Sequence, residues 1–189
     1  MACAVVVLAA SIAGCGGGED LTSGESSGSY EVDVVDASFP EVQHLAASSR
    51  FAVDVRNSGD RDIANVSVTL EGFSSVSAQP GVADPTRPIW VVDDGPRGGT
   101  TTYVNTWALG RLPAGQTRHF VWRVTAVQPG EHRLRYRVNA GLSGKGQAVT
   151  ADDSAPEGSV RVHIDREPSQ SYVDPATGRV IREYPASTS

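Results

Sequence analysis

Residues able to do chemistry are few in this chain, and they are scattered. The four histidines are His44, His119, His132 and His163. Metal centres need His, Cys or carboxylate ligands at close, regular spacing; no two of these histidines have it, and no His-Glu-x-x-His occurs. His119 and His163 fall on the polar side of alternating runs, where a solvated ring is expected. A serine nucleophile needs a strained strand-to-helix elbow to lift its hydroxyl. Gly141-Leu142-Ser143-Gly144 lacks the Gly-x-Ser-x-Gly spacing, and no helical period follows it. Gly98-Gly99 and Gly144-Lys145-Gly146 lack the strand–turn–helix setting of a phosphate loop. The sequence therefore points to no catalytic residue, no cofactor and no enzymatic activity.

Binding chemistry has better candidates. Asp93-Asp94 and Asp152-Asp153 are weak candidates for Ca²⁺. That ion takes about six to eight oxygen ligands, and the spacing matches no calcium loop. Solvated loop carboxylates are the favoured reading, and no metal site is expected. Trp90 and Trp107 flank a long irregular stretch. An exposed aromatic on a loop is a typical anchor for a partner, so Trp90 is a candidate contact, whereas Trp107 in Thr106-Trp107-Ala108-Leu109 reads as a strand residue. Arg133, Arg135 and Arg137 form a basic stripe on one strand face. Such a stripe either pairs with acidic neighbours across a sheet or receives an acidic partner. Net charge is −6, which speaks against nucleic acid as a partner.

One cysteine suggests a covalent modification. Residues 2–13 are a short apolar run, too short for a transmembrane helix of about 20 residues but suited to the core of a secretory leader. It ends in Ile12-Ala13-Gly14-Cys15, which resembles the bacterial lipobox, an aliphatic residue and two small ones before a cysteine. The resemblance implies a diacylglyceryl group on the Cys15 thiol, cleavage before it, and acylation of the new amino group. Two or three chains hold a protein stably, at about 0.8 kcal/mol per buried methylene. No Lys or Arg precedes this run, so the basic start usual in such leaders is missing here. Residues 1–14 are thus expected to be a lipoprotein signal peptide, and the lipid bilayer is the expected partner of acylated Cys15. Residues 15–29, rich in Gly and Ser, are expected to be a flexible tether. The expected location is the extracytoplasmic face of the cell membrane.

The remaining chain must position any binding residues. Cys3 and Cys15 are the only cysteines, so residues 30–165 contain no disulfide. Apolar and polar residues alternate in six stretches: Val32 and Val34; Phe51, Val53 and Val55; Val66, Val68 and Leu70; Phe120, Trp122 and Val124; Leu134, Tyr136 and Val138; Val160, Val162 and Ile164. Period two with one apolar face predicts strands packed on one side. Turn residues separate them: Asn57-Ser58-Gly59-Asp60, Leu112-Pro113-Ala114-Gly115 and Gln128-Pro129-Gly130. In the first, Asn57 is expected to bond its own backbone and Gly59 to take a left-handed conformation, with Val55 and Val66 on either side of a hairpin. The expected fold is all-β, an immunoglobulin-like antiparallel sandwich of about 7–8 strands, with an insert at 74–106. Ser143 to Gly158 reads as a second long loop.

Val55-Arg56-Asn57-Ser58-Gly59-Asp60 followed by Ile63-Ala64-Asn65-Val66-Ser67-Val68 resembles a hairpin of bacterial surface Ig-like domains, the cell-adhesion-related bacterial (CARDB) domain and its conserved-repeat relatives. Leu112-Pro113-Ala114-Gly115 before Phe120-Val121-Trp122, and Pro129-Gly130 before Leu134, resemble the second half of those domains. The match spans roughly residues 30 to 165 and departs at the insert. It implies a fold and a surface location and brings no catalytic set.

Residues 166–189 are expected to be an extension with a small hairpin at Tyr172 to Ile181. The function these features imply is a membrane-anchored, non-catalytic binding or adhesion module with a protein or glycan partner. The alternative is a structural spacer or accessory subunit of an envelope complex, without its own ligand.

Overall fold

In chain order, the strands of this computed structural model are β1 (Gly28–Ser38), β2 (Val42–Leu45), β3 (Ser48–Asn57), β4 (Ser67–Glu71), β5 (Phe73–Ser74), β6 (Trp90–Asp94), β7 (Thr100–Tyr103), β8 (Thr106–Ala108), β9 (Thr117–Ala126), β10 (Gly130–Asn139), β11 (Gly146–Val149), β12 (Glu157–Pro168), β13 (Gln170–Val173) and β14 (Val180–Glu183). The structure describes residues 22, 24–74, 88–103 and 105–183. Two six-stranded sheets form a sandwich. The first runs β11-β1-β3-β9-β6-β5 and the second β2-β12-β10-β4-β8-β7, while β13 and β14 pair by themselves.

Alternation decides which side chains meet between the sheets. From the first sheet come Val32, Phe51, Val53, Val55, Phe120, Trp122 and Val124; from the second come Val68, Leu70, Leu134, Val138, Val162 and Ile164, all at most 2% exposed. Burying each such side chain stabilises by about 1.5–3 kcal/mol, which lets the sandwich stand on apolar packing. Aromatic rings fill one end of the core. Phe51 lies 5.3 Å from both Phe39 and Trp122, and Phe73 lies 5.9 Å from Trp90, centroid to centroid.

Several expectations need correction. There are twelve sandwich strands among the described residues rather than seven or eight, because β2, β5, β6, β7, β8 and β11 are too short to display a period. Three pairings, β1 with β11, β12 with β2 and β5 with β6, are parallel. Val55 and Val66 do not flank a hairpin: β3 lies in the first sheet and β4 in the second, so the chain crosses between layers. Gly59 does not have a positive φ. Asn57 instead closes the crossing. Its Oδ1 accepts from Gly59 N at 3.2 Å, and its Nδ2 donates to the carbonyls of Arg61 (2.8 Å) and Leu112 (3.0 Å). The stretch 143–158 is not all loop, since β11 extends the first sheet. The expected tether also ends early: Glu25 accepts from Leu142 N (2.7 Å) and Ser143 N (2.9 Å). Gly141 permits this approach, because a Cβ there would sit 2.9 Å from the Glu25 carboxylate.

Strand directions give the sandwich two poles. Gly28 opens β1 beside Gly146, and β10 ends at Asn139 next to Ser67, close to the loop that holds Glu25. β12 runs from this pole to the other, where the β13–β14 hairpin follows, with Val173 opposite Val180.

Candidate functional site

The outer face of the second sheet carries the arginine stripe. β10 turns Leu134 and Val138 inward, so Arg133, Arg135 and Arg137 point to solvent. Register then decides each fate. Arg135 faces Glu71, with Nη1 3.5 Å from Oε2. Arg137 faces Glu157 and donates to its Oε2 through Nε (2.9 Å) and Nη2 (2.6 Å). These exposed pairs are each worth about 0–1 kcal/mol, but they neutralise two of the three cations. Arg133 lies directly opposite Arg161 on β12, and no carboxylate pairs with either among the described residues. Like charges opposite one another weaken a sheet, so this is the uncompensated part of the stripe.

Toward the pole that ends in the hairpin, Glu131 and Asp165 both contact His163, Glu131 at Nδ1 and Asp165 at Nε2 (3.1 Å). These two carboxylates hold the imidazole pKa above its ordinary value. Asp165 also approaches His44 at 3.5 Å. Toward the other pole a shallow hollow of about 480 Å³ is lined by Thr69, Glu71, Arg135, Arg137, Asn139 and Ser159. On the inner side of the sheet behind it, Tyr136 packs toward Phe51 and lies over Gly158, whose missing Cβ leaves room for the phenol. Burial, with a smaller effect of Asp36, pushes the Tyr136 pKa up.

The other sequence candidates fare differently. Trp90 is not an exposed contact residue. It is fully buried and donates its indole N–H to Gln43 Oε1 at 2.8 Å. β6 packs onto the core because burying an indole in the aromatic cluster outweighs leaving it wet. Trp107 is also buried. Asp93 accepts from the hydroxyls of Ser48 (3.4 Å) and Thr125 (2.8 Å), and Asp94 pairs with Arg123. Asp152 accepts from the hydroxyls of Thr150 and Ser154, which hold its pKa below the ordinary value. Asp153 is adjacent in a turn at φ 59°. Among the described residues these carboxylates enter no metal-holding group of three or more. Ser143 gives its hydroxyl to Glu25 rather than to a histidine, so the run that superficially resembles an elbow is a carboxylate cradle. Cys15, Ile12, Ala13 and Gly14 lie outside the described residues.

Two residues escaped the sequence reading. Arg161 was visible as an alternating polar position, but its place opposite Arg133 depends on strand register. Glu25 stood in a polar Gly/Ser stretch, and its partners lie more than a hundred residues away.

No protein-family model matches the chain, and no curated protein matches it. Solved structures similar to it include the CARDB domain of a Pyrococcus furiosus protein, crystallised in complex with di-metal ions. It is 12% identical, covers 73% of this chain and 96% of its own, and has a TM-score of 0.47. Native alpha-2-macroglobulin of Escherichia coli, from domain MG7 to the C-terminus, is 14% identical over 79% of this chain and 21% of that one, with a TM-score of 0.46. A PapD-like domain of a human protein is 12% identical over 72% and 85%, with a TM-score of 0.41.

Proposed function

We propose that this chain is a lipid-anchored extracytoplasmic lipoprotein whose sandwich is a non-catalytic module binding a protein or glycan. The observation that carries the binding part is the Arg133–Arg161 pair, two opposed guanidinium groups on an exposed sheet face with no carboxylate partner among the described residues. A cationic pair that weakens its own sheet has a use if an acidic group settles on it.

The anchor rests on Ile12-Ala13-Gly14-Cys15. Ten residues separate Cys15 from Glu25 (25 − 15), and an extended chain of that length reaches at most about 36 Å. An acylated Cys15 would therefore hold the Glu25 pole near the bilayer, with Arg133 and Arg161 in the half facing away. A net charge of −6 keeps such a domain off anionic lipid and leaves nucleic acid an unsuitable partner. Replacing Cys15→Ser is expected to abolish incorporation of labelled palmitate and to release the protein from membranes. Unchanged labelling would end the lipoprotein reading.

A further inference from the structure

The outer face of the first sheet carries a second opposed pair, and there it borders a groove. Arg50 on β3 lies directly opposite Arg123 on β9. Asp94 of β6 pairs with Arg123, while no carboxylate pairs with Arg50 among the described residues. A third cation comes from outside the sheet. Pro96, Arg97, Gly98 and Gly99 form a tight turn closed by Gly99 N to Pro96 O at 3.0 Å. Gly98 at φ 73° supplies the positive φ such a turn requires, and the turn presents exposed Arg97. Like Arg50, Arg97 has no acidic partner among the described residues.

These side chains frame two adjoining hollows that share Arg50 and Arg123. One, of about 420 Å³, is lined with Ser48, Ser49 and Asp93. The other, of about 650 Å³, is lined with Arg97, His119, Val121 and Trp122. Trp122 itself turns inward, stacked on Phe51 and Phe120, so its indole lies behind this groove and not in it. The acidic groups nearby are Asp94 on Arg123, Asp54 on His119 (2.8 Å), and Asp93 with its two hydroxyl donors.

We propose that this groove binds an acidic glycan, a sugar chain bearing carboxylates, with Arg50 and Arg97 as its principal ligands. Guanidinium forks match carboxylates in a bidentate manner. Asp93 and Ser48 add an acceptor and a hydroxyl of the kind that meet sugar hydroxyls, a mixture an acidic peptide would not require. Both β3 and β9 are hydrogen-bonded on each side within the sheet, so an extended peptide has no free strand edge to join here. Two hollows in series suit a linear chain of sugar units. The inference rests on the binding-module reading but not on the lipid anchor.

The test is calorimetric titration of the full chain carrying Cys15→Ser with hexagalacturonate at low salt, with maltohexaose and hexaglutamate in parallel. Hexagalacturonate is expected to bind, to lose affinity as salt rises, and to bind about tenfold more weakly to Arg50→Gln and to Arg97→Gln. Maltohexaose is expected not to bind. Arg97 sits on a turn outside the sheets, so Arg97→Gln tests the groove even if Arg50→Gln disturbs the strand. No binding of hexagalacturonate, or equal binding by both variants, would overturn the proposal. If Arg133→Gln and Arg161→Gln weaken binding instead, the module reading survives and this groove is the wrong site. If hexaglutamate binds as tightly with the same arginine dependence, the groove takes acidic peptides and the glycan assignment is wrong.

Discussion

Two stretches of this chain lack alternation, and the fold treats them in opposite ways. The described part of the first, residues 88–103 and 105–109, sends Trp90 and Trp107 into the core on β6 and β8. The second, residues 141–156, adds only Gly-Gln-Ala-Val to the sandwich, as edge strand β11. Trp90 touches Phe39, Phe73 and the ring of His132, and its N–H meets Gln43. The 141–156 stretch is held by polar contacts: Glu25 on the amides of 142 and 143, and Thr150 with Asp152 and Ser154. An irregular segment joins a sandwich either through what it buries or through what caps it. The two routes should differ in strength.

The largest effect is expected from Trp90→Ala. It removes a fully buried indole and leaves Gln43, itself 2% exposed, without its donor. The expected loss is about 3–5 kcal/mol in unfolding free energy, measured by urea denaturation. A loss below about 1 kcal/mol, the scale of ordinary surface changes, would return Trp90 to the surface role its loop position first suggested.

The sequence was legible where strands were long and wet on one face. β3, β9, β10 and β12 follow their alternation closely, and Val53, Trp122, Leu134 and Val162 are buried as their spacing requires. The all-β class and the turn residue Asn57 were likewise legible. Strands of two to four residues were not, because so short a run carries no measurable period, and neither was β6, whose run Trp90-Val91-Val92 does not alternate as the equally short β4 does; β6 and β11 acquire strand character from their neighbours. Long-range register was also hidden. It separates Arg135 and Arg137, which meet carboxylates, from Arg133, which meets Arg161. The Arg50–Arg123 groove lay deeper still, since it needs β3 beside β9 and the Arg97 turn above both. No local pattern encodes that neighbourhood.

A smaller effect is expected from Glu25→Ala. The variant loses the acceptors for two amides and the Ser143 hydroxyl, but these lie near solvent and water replaces them. The expected cost is about 1 kcal/mol. Faster amide exchange should be confined to Leu142, Ser143 and β11, with β6 unchanged. If β6 loosened equally, the two stretches would form one cooperative unit, and the contrast between burial and capping would fail.

The smallest effect concerns pH and belongs to the capped stretch alone. Hydrogen bonds from the Thr150 and Ser154 hydroxyls hold the Asp152 pKa below its ordinary value. A depressed carboxylate contributes stability that is fully present above its unfolded pKa and is lost as pH falls through the folded value. Acidification below the ordinary carboxylate range should therefore loosen the 150–154 turn, where Asp153 N donates to Thr150 O at 2.9 Å. Because the group is exposed, the change should be local and modest, seen as a smaller protection factor of the Asp153 amide, its exchange divided by the intrinsic rate at the same pH, than near neutrality. Asp152→Asn should abolish most of that pH dependence while leaving the Trp90 core unchanged. Persistence of the same dependence in the variant would mean that another carboxylate governs the turn, and the hydroxyl contacts of Asp152 would then not be what secures this stretch.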